Sequence, residues 1–89
     1  MRGNVWIAAV AVSAATRAKV AGRHGLDVDE VLRRVVCARG LAYRWLYDDA
    51  RGWRLLVVVW LPRQRVVVVL YPAPDLGDDT YRLASAYRG

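Results

Sequence analysis

The amino-acid sequence predicts an α+β fold, two helices packed on a mostly antiparallel β-sheet in the order β-α-α-β-β-β-β. Three observations carry that expectation. From Val28 to Gly40 the apolar residues follow helical spacing, and alternation replaces it from Leu41 onward. The run His24-Gly25-Leu26-Asp27 combines a helix stop with a helix start, which splits the helical part in two. The apolar runs at residues 53–61 and 65–71 are separated only by Pro62, Arg63 and Gln64, so they must pair antiparallel.

Val5 to Val12 reads as the first strand. Ser13 then caps a first helix over residues 14–24, and Gly25 ends it, because a residue without Cβ enters the left-handed region at little cost. On a helical wheel Ala14, Ala18 and Ala21 share one side, which is expected to face the core, with Thr16, Lys19 and Arg23 opposite. Asp27 opens the second helix. Its carboxylate is expected to accept from the Glu30 N–H while the Glu30 carboxylate reaches back to the Asp27 N–H, and Leu26 and Val31 form a hydrophobic staple. This helix is expected to reach about residue 38, with Val28, Val31, Leu32, Val35 and Val36 inward and Gly40 as its stop.

In the next strand Leu41, Tyr43, Trp45 and Tyr47 point one way and Ala42, Arg44 and Leu46 the other. Residues 48–52 are turn chemistry. The nearly continuous apolar run 53–61 predicts a central strand buried on both faces, with 65–71 as an inner neighbour. Residues 72–80, with two prolines, a glycine and three aspartates, form a surface connection. The last strand, 81–88, places Tyr81, Leu83, Ser85 and Tyr87 on one face. A chain with four tryptophans and no phenylalanine is expected to use Trp45 and Trp60 in its core.

Eighty-nine residues suit one domain, residues 1–89, and exclude a second active one. The hydrophobic fraction of 56% excludes a disordered chain, and the net charge of +6 points to a polyanionic partner. The single cysteine, Cys37, cannot close an intrachain disulfide and is expected to be a buried apolar residue. The N-terminus imitates a secretory signal, with Arg2 before a short apolar run, but loss of that run would remove a strand. A cytoplasmic protein without membrane association is therefore expected. No glycine-rich phosphate loop, metal-ligand spacing or Ser-His-Asp set is present, so neither metal nor cofactor is expected. Asp48-Asp49 and Asp78-Asp79 lie in turns, where aspartate belongs on conformational grounds.

Taken together, several short motifs resemble a known family. They are the strand Val5-Trp6-Ile7, the helix end Lys19…His24-Gly25, the acidic-capped segment Asp27–Val31, the meander, and the ending Arg82-Leu83-Ala84-Ser85-Ala86. This set resembles the BrnT-type toxins of the RelE-like superfamily of toxin-antitoxin ribonucleases. The family continues from Ser-Ala with an arginine and a charged helix, whereas here Tyr87 and Arg88 follow. The resemblance implies a type II toxin that cleaves mRNA without metal, on the ribosome or off it. It further implies a cognate antitoxin over the basic face and homodimers within that complex.

Cleavage of RNA by its own 2′-hydroxyl requires a base, cations for the phosphorane oxygens and an acid for the leaving 5′-oxygen. The catalytic candidates of the required types are Lys19, His24, Arg65, Arg82 and Tyr87. Arg44, Arg54 and Arg88 are the candidate nucleic-acid contacts, since guanidinium matches two phosphate oxygens at once. His24 also has a purely structural reading, as a cation at a helix C-terminus. Two other functional classes remain open: a non-catalytic module that binds RNA, DNA or protein, and a structural domain whose edge strands pair between copies.

Overall fold

The computed structural model describes residues 5–89; Arg2 of the signal-like reading lies outside them. The elements are β1 (Ala9–Ala11), α1 (Ala14–His24), α2 (Val28–Arg33), β2 (Ala42–Asp48), β3 (Gly52–Leu61), β4 (Gln64–Pro72) and β5 (Thr80–Arg88), with a short 3-10 turn at Pro74–Leu76. One five-stranded sheet has the order β1-β5-β4-β3-β2. The meander β2 to β5 is antiparallel, and β1 joins parallel to the start of β5, Val10 opposite Tyr81. The architecture is thus α+β, with two helices against a mostly antiparallel mixed sheet.

Local chemistry explains the element ends. Ser13 accepts the Thr16 N–H at 3.1 Å, and Gly25 closes α1 in the left-handed region at φ 63°. Asp27 accepts from the N–H groups of Asp29 and Glu30, so the forward half of the expected capping box forms. Only that half forms: the Glu30 carboxylate makes no return bond among the described residues. At the β2–β3 turn Asp48 accepts the Ala50 N–H at 2.7 Å, and Gly52 takes φ 80°.

The core lies on one face of the sheet. Leu55, Val57, Val59 and Leu61 of β3 meet Val66, Val68 and Leu70 of β4, and above them pack Leu26, Val28, Val31 and Val35. No charged residue is buried among the described residues. Each Val or Leu side chain removed from water here contributes roughly 1.5–3 kcal/mol. Ile7 is also fully buried, although the first strand is confined to three residues instead of spanning 5–12.

Several expectations are corrected. The second helix ends at Arg33, not near residue 38. Its valine stripe continues through Val35, but Cys37 turns to φ 55° and donates its N–H to the Ile7 carbonyl, so the chain docks on the first strand instead of coiling on. Cys37 is exposed, not buried. β3 is buried on one face only, because neither helix covers the other side. Trp45 and Trp60 are surface residues, 38% and 66% exposed. Trp45, Tyr47 and Trp53 do share the face of the core, yet they lie beyond the reach of α2 and form an exposed aromatic patch beside Pro72.

The helix α1 is rotated relative to expectation. Ala14, Ala18 and Ala21 face solvent, while Thr16, Lys19, Val20 and His24 turn inward. The reason is its position: α1 continues from β1 alongside β5, where the neighbour is a strand edge with free carbonyls. Lys19 Nζ donates to the Ala84 carbonyl at 3.2 Å. Ala84 is the extra residue of a β-bulge, since Leu83 pairs with Leu70 and Ser85 with Val69. The bulge also breaks the expected alternation of the last strand. Tyr81, Leu83 and Ala86 face the core, and Ser85 and Tyr87 pass to the opposite side.

Candidate nucleic-acid interface

The sheet face opposite the core is open. Strand register assigns its residues, because directly paired residues share a face. Arg44 pairs with Leu56, Leu46 with Arg54, Trp60 with Arg65, Val67 with Tyr87, and Tyr71 with Arg82. Four of the candidate arginines, Arg44, Arg54, Arg65 and Arg82, therefore occupy one face together with Tyr87. Valines and leucines between them make an apolar floor. Arg54 is half-buried there, and its Nε is enclosed without a hydrogen-bond acceptor among the described residues.

At one end of this face the candidates meet. The His24 ring lies 6.4 Å from the Tyr87 ring, tilted by 50°. Both line an open depression with Arg23, Gly25 and Arg88. The αL corner at Gly25 makes this possible, since it ends α1 against the end of β5; a Cβ on Gly25 would stand 3.5 Å from Arg88 Nη2. Arg65 is near, its carbonyl accepting the Gly89 N–H at 3.0 Å. Its guanidinium lies 5.9 Å from the centre of the Trp60 ring, a cation–π arrangement on an exposed indole.

Two candidates are engaged elsewhere. Lys19 is held on the bulge carbonyl of Ala84. Arg82 lies near the start of β5, and because Ala84 is a bulge residue its partner Tyr71 stands only four residues from Val67, the partner of Tyr87, so the two are about 13 Å apart along the sheet. There it grips Asp75 in a two-pronged ion pair, Nη1–Oδ1 3.1 Å and Nη2–Oδ2 2.8 Å. The hydrogen bonds from Arg82 hold the Asp75 carboxyl below its ordinary pKa, and the carboxylate raises that of Arg82 in turn. On the core side, burial pushes the Tyr81 phenol up, with Asp79 adding to the effect.

Sequence reasoning left out three polar residues that these clusters contain. Arg23 borders the His24 depression, and Arg51 and Tyr71 accompany Arg82 at the far end. Arg23 was discoverable, being adjacent to His24 at a helix end. Arg51 and Tyr71 were not, because their meeting depends on how the β2–β3 turn curls over β4. Among the described residues no group of three His, Cys, Asp or Glu side chains is placed to hold a metal ion, and no helix is long and apolar enough to cross a membrane. Comparison with protein-family models, with curated proteins and with solved structures finds no match to this chain.

Proposed function

We propose that the chain is a metal-independent endoribonuclease of the toxin-antitoxin kind, with RNA as substrate and an antitoxin segment as the partner covering the open face. The observation that carries this reading is the meeting of the only imidazole with Tyr87 in one open depression bordered by arginines. The element order β-α-α-β-β-β-β supports a RelE/BrnT-like arrangement, and the cytoplasm is the compartment that such a substrate requires.

In this mechanism the ribose 2′-oxygen attacks the neighbouring phosphorus as the P–O5′ bond breaks. The products are a 2′,3′-cyclic phosphate and a free 5′-hydroxyl. His24 takes the 2′-hydroxyl proton and Tyr87 gives one to the leaving 5′-oxygen, so the protons balance. Arg88 and Arg65 offset the charge that gathers on the phosphorane oxygens. Arg44 and Arg54 hold flanking phosphates, and Trp60 offers a face for base stacking.

A second reading is favoured by the commitment of Lys19 and Arg82 to protein partners: a module that binds nucleic acid without cutting it. One experiment separates the two. Purified protein is incubated with end-labelled single-stranded RNA in a chelator. Cleavage with cyclic phosphate ends is expected, falling about 10²–10⁴-fold in His24→Ala and Tyr87→Phe while RNA binding persists. Binding without cleavage by the unaltered protein would establish the second reading, and absence of both would remove nucleic acid altogether. In bacteria, expression of the unaltered chain is expected to arrest growth, and the double variant to relieve it.

A further inference from the structure

The far end of the open face holds a second groove, of 660 Å³, that the cleavage scheme does not use. Its polar lining comes from Arg51, Arg82, Tyr71, Ser13 and Thr16. Its apolar lining comes from Val12 and Leu83 among others. The two arginines come from separate places in the chain, the β2–β3 turn and the start of β5. Tyr71 lines the groove beside Arg51, and its phenol, with Asp48 adding to the effect, raises the Arg51 pKa.

Arg82 already shows what this groove recognises. Its two Nη groups hold the two oxygens of the Asp75 carboxylate at 3.1 and 2.8 Å, the fork geometry that also fits two oxygens of a phosphate. The pair is exposed, with side chains 52% and 61% accessible, and such pairs are weakly held in water. An RNA phosphodiester carries the same single negative charge as a carboxylate, but unlike Asp75 it is met here by Arg51 as well as Arg82. Asp75 sits on the short turn at Pro74–Leu76, whose side is open to solvent.

We infer that this groove is a second phosphate-binding subsite for the same RNA strand, and that Asp75 occupies Arg82 until an RNA phosphate displaces it. The inference rests on the reading of the open face as an RNA interface. It assigns Arg82 to holding substrate about 13 Å from the site of cleavage, not to the chemistry. RNA bound across both ends must therefore span several nucleotides, and short fragments engage one end only.

The test measures binding of a single-stranded RNA of about a dozen nucleotides by fluorescence anisotropy over a range of salt concentrations. Asp75→Asn is expected to tighten binding roughly threefold, since the freed guanidinium no longer has to exchange a partner. Asp29→Asn is the control. It makes the same change in net charge and frees Arg17 from its 3.1 Å pair, but away from the groove, and is expected to change binding much less. Arg51→Ala and Arg82→Ala are expected to weaken binding and to lower the logarithmic salt slope by about 0.7 for each RNA phosphate that is no longer neutralised.

Should Asp75→Asn bind no better than Asp29→Asn, the displacement is overturned while the RNA interface stands. Unaltered slopes in both arginine variants overturn the subsite itself. Tightening without any cleavage by the unaltered chain would support the groove and defeat the catalytic assignment of His24 and Tyr87. Failure of every variant and of the unaltered protein to bind RNA would overturn both.

Discussion

Across β3 and β4 the two faces of the sheet use nearly the same apolar residues and serve opposite purposes. Leu55, Val57 and Val59 meet Val66, Val68 and Leu70 beneath α2 and are closed to solvent. Leu56, Val58 and Val67 stand on the other side among Arg44, Arg54 and Arg65 and remain partly open. What separates the faces is the placement of arginine. Residues 54 and 65 fall on the same side because the hairpin turn between them holds just Pro62 and Arg63. Apolarity marks where a sheet is, and the parity of its charged residues marks which side is left for a ligand.

This contrast is sharpest in a pair of substitutions. Leu55→Ala should destabilise by about 2–5 kcal/mol, the range for a buried leucine whose cavity does not collapse. Leu56→Ala, one residue away on the open face, should cost about 1 kcal/mol or less. Urea denaturation of both variants checks the difference, and equal losses would mean that the open face is packed as well. Next in size is the corner that sets α2 over one face. Gly25→Ala should cost about 1–2 kcal/mol from the left-handed backbone alone, since the added Cβ meets only an ordinary contact 3.5 Å away.

Smaller still is the effect of Lys19→Met, which removes the donor on the bulge carbonyl and should cost about 1 kcal/mol. Its specific signature is a shift of the Ala84, Ser85 and Tyr87 amide resonances, because the bulge decides that Tyr87 joins the arginine side. The smallest effect concerns Asp75. Its folded pKa is depressed, so its stabilisation is present above the ordinary carboxylate pKa and lost as pH falls through the depressed value. Thermal unfolding of the unaltered protein should exceed that of Asp75→Asn slightly at neutral pH. The two should converge in strong acid.

Much of this was legible in the sequence because it is local. The Ser13 cap and the Gly25 stop of α1 each follow from contacts local in the chain, Ser13 with Thr16 and Gly25 with Ala21. The β2–β3 and β3–β4 pairings follow from turns too short to permit anything else, whereas the parallel seat of β1 beside β5 follows from no turn. What was not legible depends on distant neighbours. Alanines were expected inward on α1 because small residues usually allow close packing. The actual neighbour is a strand edge that needs a donor, which Lys19 supplies. The extra residue at Ala84 leaves no mark in an alternating string of letters, yet it moves Tyr87 from the core side to the arginine side and so brings it to His24. Trp45 and Trp60 were expected inside because a chain without phenylalanine needs other large residues for its core, but Trp45 lies beyond the helical layer and Trp60 is on the face that no helix covers. Of the candidate site, the residue types were legible and the division into two ends was not, since Asp75 reaches Arg82 only through the fold of the connecting loop.

The lateral position of α1 bears on how copies of this chain can associate. One flank of the sheet carries only the three-residue β1 and then a helix, so it presents almost no unpaired backbone to a neighbouring molecule. The other flank, Ala42–Asp48, is an edge strand with no further strand beside it among the described residues. Strand-to-strand joining is therefore available from a single side, and two molecules meeting there would use up what each has to offer. Such an association closes at a pair and does not propagate into a filament.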